Sequence, residues 1–192
     1  MDKVKNVLMV GVGGQGIVLA SDIISLAAMY AGHDVKKSEI HGMSQRGGSV
    51  FSHIRFGKKV YSPVVPAHEA DILVSLEEME TLRWLSYVNR DTTIVFTKTR
   101  INPANVTEYP KHIEQEIQKH FHNSIVVDPS EISETRDSAK YLNTVILGLV
   151  STYLDFSDDA WQQSIRESVP HGTYESNLAA FYMGKTKYRA NR

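Results

Sequence analysis

Short apolar runs alternate along the chain with segments of helical periodicity. In residues 6–10, Asn6 is followed by four apolar residues, and a glycine comes next, which predicts a buried strand. Residues 17–30 carry apolar side chains at helical spacing and predict a helix, with Gly32 at the position of its C-terminal cap. The same criteria predict strands at 34–40, 50–56, 71–75, 93–96 and 125–127, and helices at 76–85, 111–121, 142–154, 158–165 and 174–188.

This alternation predicts an α/β fold with a doubly wound, mostly parallel sheet covered by helices on both faces. The first strand, helix and second strand would form a Rossmann-like βαβ unit. Gly57-Lys58-Lys59 is expected to turn strand 50–56 back into a short strand at Val60-Tyr61, as a β-hairpin insertion. The last third is expected to be helical. No repeat or linker-like stretch interrupts the 192 residues, so a single domain spanning 1–192 is expected.

Charge and composition narrow the function classes. The 21 Lys and Arg nearly balance 22 Asp and Glu, giving a net charge of -1, and there is no basic tract, so we expect no nucleic-acid partner. No apolar run is long enough to cross a bilayer, so we expect no membrane contact and a cytoplasmic location. The chain has no cysteine, which excludes disulfides, thiol catalysis and an iron–sulfur cluster held by cysteines of this chain.

A glycine loop lies between the first strand and the first helix. Its glycines satisfy the spacing G-x-G-x-x-G, and no Lys-Ser/Thr follows, so it is not a triphosphatase P-loop. Glycine allows a tight turn and close approach of the backbone, while free amides at the helix start favour a phosphate. The alternative is a tight turn whose glycines serve packing alone. The candidate ligand-binding residues are Gly11, Gly13, Gly14, Gln15 and Gly16.

A second glycine loop follows the second strand. Both loops should emerge at the carboxyl edge of the sheet and border one crevice. The fork-shaped guanidinium of Arg46 suits a phosphate or carboxylate, although it could equally pair with a local carboxylate. His41 could orient a ligand or hold the loop by a hydrogen bond, and Glu39 is close to the place of the ribose-binding acid in NAD enzymes. The candidates here are Glu39, His41, Ser44, Gln45, Arg46, Gly47 and Gly48.

Familiar catalytic and metal-binding patterns are missing from the sequence. It has no G-x-S-x-G or H-E-x-x-H motif, and we assign no catalytic residue and no metal ligand. The acidic group Glu77, Glu78 and Glu80 is interpreted as the first turn of a helix rather than a metal site. His120 and His122 are interpreted as a solvated surface pair.

Several strings together resemble a known family. They are 11–16 (GVGGQG), 38–48 (SEIHGMSQRGG), 52–55 (SHIR), 61–63 (YSP), 69–73 (EADIL), 143–148 (NTVILG) and 177–184 (NLAAFYMG). These strings resemble the gamma subunits or gamma domains of 2-oxoacid:ferredoxin oxidoreductases. The His-Gly-Met-Ser-Gln-Arg-Gly-Gly loop is most similar to that of the beta subunit of indolepyruvate:ferredoxin oxidoreductase.

The resemblance implies a division of labour. A large partner subunit would carry thiamine diphosphate and the iron–sulfur clusters. It would oxidatively decarboxylate an aryl pyruvate, transfer the acyl group to coenzyme A and pass the electrons to ferredoxin. This chain alone would hold no cofactor and be inactive, and coenzyme A would be a candidate ligand of its two loops at the subunit interface. Without its partner the chain could form a homodimer. The alternatives are a stand-alone NAD(P)- or nucleotide-binding regulatory module, and a purely structural subunit whose loops form the interface.

Overall fold

The computed structural model describes residues 3–41, 48–102, 108–132 and 138–188, without the side chains of His41, Ser138 and Ala139. Within these residues the strands are β1 (Lys5–Val12), β2 (Asp34–His41), β3 (Ser49–Gly57), β4 (Ile72–Ser75), β5 (Thr93–Thr97) and β6 (Ser124–Val127). The helices are α1 (Ile17–Tyr30), α2 (Glu78–Arg83), α3 (Ile113–His120), α4 (Leu142–Ser151), α5 (Asp158–Ser168) and α6 (Tyr174–Lys187). Short 3₁₀ turns lie at Leu85–Tyr87, Pro129–Glu131 and Ser138–Tyr141.

The six strands form one sheet in the order β2-β3-β1-β4-β5-β6. β1, β4, β5 and β6 run parallel, whereas β3 is antiparallel to both of its neighbours, β1 and β2. The predicted α/β class with a mostly parallel sheet and a helical C-terminal region is confirmed.

The predicted position of the hairpin is wrong. β3 does not turn back into a strand at Val60-Tyr61, because the backbone N–H of Val60 donates to the carboxylate of Asp34 and the chain leaves the sheet. The hairpin is instead formed by β2 and β3, which are paired along their whole lengths. Since β3 is also paired with β1 throughout, it separates β2 from β1, and the expected Rossmann pairing of the first two strands is absent.

The alternation of side chains along β1 divides the core into two layers. Val7 and Met9 point to the layer that contains α1, α4, α5 and α6, whereas Leu8 and Val10 point to the layer that contains α3. All four are fully buried, which is typical of a central strand with both faces covered.

Helices α4 and α6 approach closely at two glycines. A Cβ atom at Gly148 would overlap the carbonyl oxygen of Phe181, and one at Gly184 would overlap the carbonyl oxygen of Val145. Both glycines belong to the strings that carry the family resemblance, so those strings describe helix packing as well as a site.

Candidate functional site

The first glycine loop forms a tight turn directly between β1 and α1. Gly14 and Gly16 adopt positive φ angles of 99° and 77°, a region that L-residues other than glycine rarely occupy. Gly16 is the N-cap of α1 and has no side chain to occupy the first amides of the helix. These amides have no acceptor within the helix, so the loop can present N–H groups to an anion.

Gln15 holds the loop in place. Its carboxamide oxygen accepts a hydrogen bond from the backbone N–H of Val12 (2.8 Å), and its Nε2 donates to the carbonyl oxygen of Leu76 (2.6 Å), directly after β4. A Cβ atom at Gly11 would lie 2.7 Å from that carboxamide oxygen, so the glycine makes room for it. Both polar groups of Gln15 therefore have partners in the fold, and its role here is to link two loops.

The second glycine loop ends beside the first. Ser49, the first residue of β3, is paired in register with Val12, the last residue of β1. The backbone N–H of Gly13 donates to the carbonyl oxygen of Gly48 at 2.9 Å. The two loops therefore meet at one edge of the sheet, as expected from the sequence. Four candidates of the second loop lie outside the described residues: Ser44, Gln45, Arg46 and Gly47.

Glu39 and His41 lie on β2, the strand at the edge of the sheet. The Glu39 carboxylate is 2.7 Å from the ammonium group of Lys37. Because β3 lies between β1 and β2, Glu39 is two strand spacings, about 10 Å, from β1. It is thus not placed as the ribose-binding acid of a Rossmann site would be. The backbone of His41 is opposite Val50, at the same edge as both glycine loops.

The acidic residues after β4 form the first turn of α2, as predicted. Glu77 is the N-cap, and its carboxylate accepts from the backbone N–H of Glu80 (2.8 Å). It also accepts from the N–H of Ile101 (3.1 Å) and from the hydroxyl of Tyr109 (2.6 Å). Burial and this bond to Glu77 raise the pKa of the Tyr109 hydroxyl, which therefore remains a proton donor. Glu78 pairs with Arg100.

The sequence did not predict the long-range contacts that residues 76–80 make. Residues 76–80 bind the first glycine loop through Leu76, the start of β3 through Glu80, and the chain after β5 through Glu77 and Glu78. These four contacts join residues that are between 22 and 61 positions apart in the sequence. An acidic cluster directly after a buried strand was the one available signal, and it fits a helix start equally well.

A cavity of about 420 Å³ opens at the same edge of the sheet. Its walls are mostly apolar and come from the ends of successive strands and the start of α4. In open α/β sheets, ligands bind outside the carboxyl ends of the strands, which is where this cavity lies. Residues that line it include Gly14, Gln15, Leu76, Thr99, Ile101 and Asn143.

Asn143 connects the cavity to the first glycine loop. Its Nδ2 lies 3.4 Å from the carbonyl oxygen of Gly16, and a Cβ atom at Gly16 would overlap that nitrogen. Asn143 is nearly fully buried, and its Oδ1 accepts from the backbone N–H of Thr144. The start of α4 therefore packs closely against the first glycine loop, through a contact between residues 127 positions apart in the chain.

A larger cavity, of about 500 Å³, lies at the opposite edge of the sheet. It is bordered by Thr93 and Asn123, at the amino ends of β5 and β6, and by Tyr153 and Tyr188. No described residue of either glycine loop lines it, so we place the candidate site at the smaller cavity despite the difference in volume.

The described residues contain no cluster of three or more His, Asp or Glu side chains arranged to hold a metal ion. The His120 ring lies 3.7 Å from the carboxylate of Glu116 one helical turn earlier, and both side chains are exposed. His122 lies instead at the larger cavity. None of the helices in the described ranges is long and apolar enough to span a membrane.

Comparison with known proteins places the chain in a known family and agrees with the fold. The family model described as pyruvate ferredoxin/flavodoxin oxidoreductase matches residues 6–186. The indolepyruvate oxidoreductase subunit IorB of Archaeoglobus fulgidus is 38% identical over 187 residues, covering 93% of this chain and 92% of that protein.

Two solved structures share the fold. The gamma subunit of a keto/oxoacid ferredoxin oxidoreductase from Geobacter sulfurreducens superposes with a TM-score of 0.72 at 22% identity, over 98% of each chain. A 2-oxoglutarate:ferredoxin oxidoreductase from Magnetococcus marinus, with 2-oxoglutarate, coenzyme A and succinyl-CoA bound, gives 0.76 at 19% identity. That match covers 99% of this chain but 32% of the longer one. This chain belongs to the pyruvate ferredoxin/flavodoxin oxidoreductase family.

Proposed function

We propose that the chain is the small subunit of a 2-oxoacid:ferredoxin oxidoreductase that acts on indolepyruvate or a related aryl pyruvate. The observation that carries the proposal is the hydrogen bond from Gly13 to Gly48, which joins two glycine loops at the carboxyl edge of the sheet. A subunit that holds a ligand between two backbone loops needs no catalytic side chains of its own. The 38% identity to an indolepyruvate oxidoreductase subunit supports the aryl substrate.

The redox cofactors would belong to a large partner subunit. A thiamine diphosphate enzyme that reduces ferredoxin needs iron–sulfur clusters, which are commonly held by cysteine thiolates. This chain has no cysteine. We therefore place both thiamine diphosphate and the clusters in the partner, and ferredoxin would be reached through the assembled complex.

Coenzyme A is the ligand we assign to the two loops. It carries a diphosphate and a further phosphate, which suit the free amides at the start of α1 and the guanidinium of Arg46. The adjacent cavity of about 420 Å³ can take an apolar part of a ligand. The bound coenzyme A named for the Magnetococcus marinus enzyme, whose fold this chain shares, supports the same ligand class.

Assembly is the first test. Co-expression with a large thiamine-dependent subunit should yield a stable complex that reduces ferredoxin with indolepyruvate and coenzyme A. The isolated chain should be inactive. An isolated chain that turns over the 2-oxoacid, or one that never associates with such a subunit, would contradict the assignment.

Ligand binding is tested on the assembled complex by calorimetry with coenzyme A. Arg46→Ala should weaken the affinity at least about tenfold, because a charge-assisted bidentate contact is lost. Arg90→Ala is the matched control, because Arg90 is exposed just before β5, at the opposite edge of the sheet. Equal affinity of the wild-type and Arg46→Ala complexes would refute the contact.

Glu39 does not lie on the neighbour of β1, so the nucleotide-binding alternative now rests on the first glycine loop alone. Thermal-shift measurements with NAD, NADP and coenzyme A separate the two functions directly. A ligand at 100 times its dissociation constant stabilises the folded state by about 2.7 kcal/mol. We expect stabilisation of the assembled complex by coenzyme A and not by either dinucleotide.

A further inference from the structure

Glu80 is a buried carboxylate with two partners on different elements. Its side chain is about 4% exposed. One carboxylate oxygen accepts from the hydroxyl of Ser49 at 2.6 Å, and the other is 3.2 Å from Nε of Arg83. A buried charge is costly unless it is paired, so these two contacts account for the burial of Glu80. Arg83 is on the same helix, whereas Ser49 begins β3.

Ser49 connects α2 to the described end of the second glycine loop. It follows Gly48 directly, and Gly48 accepts the hydrogen bond from Gly13. Glu80 therefore binds the chain one residue away from the contact between the two loops. A shift of Ser49 would displace the carbonyl oxygen that Gly13 requires.

Glu80 is itself held from several directions. Its backbone N–H donates to the carboxylate of Glu77, which is fixed by Tyr109 and Ile101. Leu76, at the start of the same segment, accepts from Gln15 of the first loop. The segment that presents Glu80 is thus anchored to the first loop and to the chain after β5.

From this arrangement we propose that Glu80 is a positioning residue, whose hydrogen bond to Ser49 holds Gly48, the last residue of the second glycine loop, against Gly13 of the first. The proposal rests on the proposed function for its consequence, which is that the ligand site is assembled before coenzyme A arrives. We call the hydrogen bond between Glu80 and Ser49 the link. It depends on the Glu80 oxygen that accepts from Ser49, and the ion pair of Glu80 with Arg83 contributes little to its strength.

Hydrogen exchange of the full chain in the assembled complex tests the link directly. The amide of Gly13 reports whether Gly48 stays in place, and amides of β5 report global unfolding. Glu80→Ala and Ser49→Ala should each speed exchange at Gly13 about tenfold or more relative to β5, since a hydrogen bond to a buried charge is lost. Glu80→Gln retains an acceptor oxygen and should restore most of the protection.

Arg83→Ala is the matched control. It removes the other partner of Glu80 and leaves Ser49 untouched, so Gly13 exchange should remain at the wild-type rate. The proposal is overturned if Ser49→Ala leaves Gly13 exchange unchanged, or if Arg83→Ala accelerates it equally. Ser49→Ala is conservative enough to provide a result even if Glu80→Ala fails to fold.

Coenzyme A affinity separates this proposal from the proposed function. If both hold, Glu80→Ala and Ser49→Ala weaken coenzyme A binding, and Glu80→Gln restores it. Faster Gly13 exchange with wild-type affinity in these variants and in Arg46→Ala would support the link and overturn coenzyme A as the ligand. Unchanged Gly13 exchange in Glu80→Ala and Ser49→Ala, together with weakened coenzyme A binding in Arg46→Ala, would overturn the link and support coenzyme A as the ligand.

Discussion

Removing the side chain of Gln15 should loosen the first glycine loop without disturbing the core. The carboxamide makes two hydrogen bonds, to the backbone N–H of Val12 and to the carbonyl oxygen of Leu76. Gln15 is partly accessible, so water can replace part of each bond in the Gln15→Ala variant. At about 1 kcal/mol net for each bond, the free energy of unfolding should fall by about 2 kcal/mol. For a chain of this size, that corresponds to a decrease in Tm of about 4–8 °C.

Urea unfolding followed by circular dichroism measures this loss, and hydrogen exchange at Val12 locates it. Gln163→Ala is the matched control. It makes the same chemical change on the exposed face of α5, where the side chain donates a hydrogen bond of 3.3 Å to Glu167. We expect its effect to stay within about 0.5 kcal/mol.

The Gln15→Glu variant separates the contributions of the two hydrogen bonds to stability. An oxygen remains to accept from Val12, but the donor to Leu76 is replaced by a second oxygen that faces a carbonyl. Val12 should stay protected while the free energy of unfolding still falls. If Gln15→Ala were as stable as the wild type and Val12 exchange were unchanged, the carboxamide would not hold this loop.

Two further predictions concern packing and titration. Gly184→Ala should destabilise the protein by about 1–3 kcal/mol in urea unfolding, because the overlap of the new methyl group with Val145 outweighs the higher helix propensity of alanine. The control is Thr186→Ala, exposed on the same helix, which should be neutral or stabilising. Burial and the neighbouring Arg55 lower the pKa of His53, whose Nδ1 accepts from the N–H of Val65. As the pH drops, the His53 ring of the unfolded chain is protonated before that of the folded protein, so the free energy of unfolding should fall below about pH 6.5. Between about pH 7.5 and 5.5, His53→Asn should lose less stability than the wild type.

Local signals in the sequence predicted the elements well where one periodicity dominates. The bounds of α1 follow from its apolar spacing and from the glycines at its two ends, which the structure places at positive φ. The alternation along β3 is equally local: Val50, Ile54 and Phe56, two or four residues apart, all join the layer that contains α1. These features depend on neighbours a few residues apart, which a sequence displays directly.

Pairing partners depend on residues far apart, and there the sequence reasoning failed. Nothing in 50–56 distinguishes a strand that returns to Val60 from one that inserts between β1 and β2. The contact of Asn143 with Gly16 and the hydrogen bond of Ser49 to Glu80 likewise join distant segments. Family resemblance marked the strings around Asn143 and Gly148, but not whether they serve a ligand or a neighbouring helix.

The insertion of β3 explains how two glycine loops come to share one edge. A loop that follows β2 in an ordinary βαβ unit leads away into a helix. Here the chain after His41 must instead cross back over one strand spacing and enter β3 at Ser49, which is paired with Val12. Strand ladders therefore fix both ends of the second loop, and its last residue is brought against Gly13. The same insertion places Glu39 two strand spacings from β1, so one feature of the topology brings Gly48 against Gly13 and separates Glu39 from the first glycine loop.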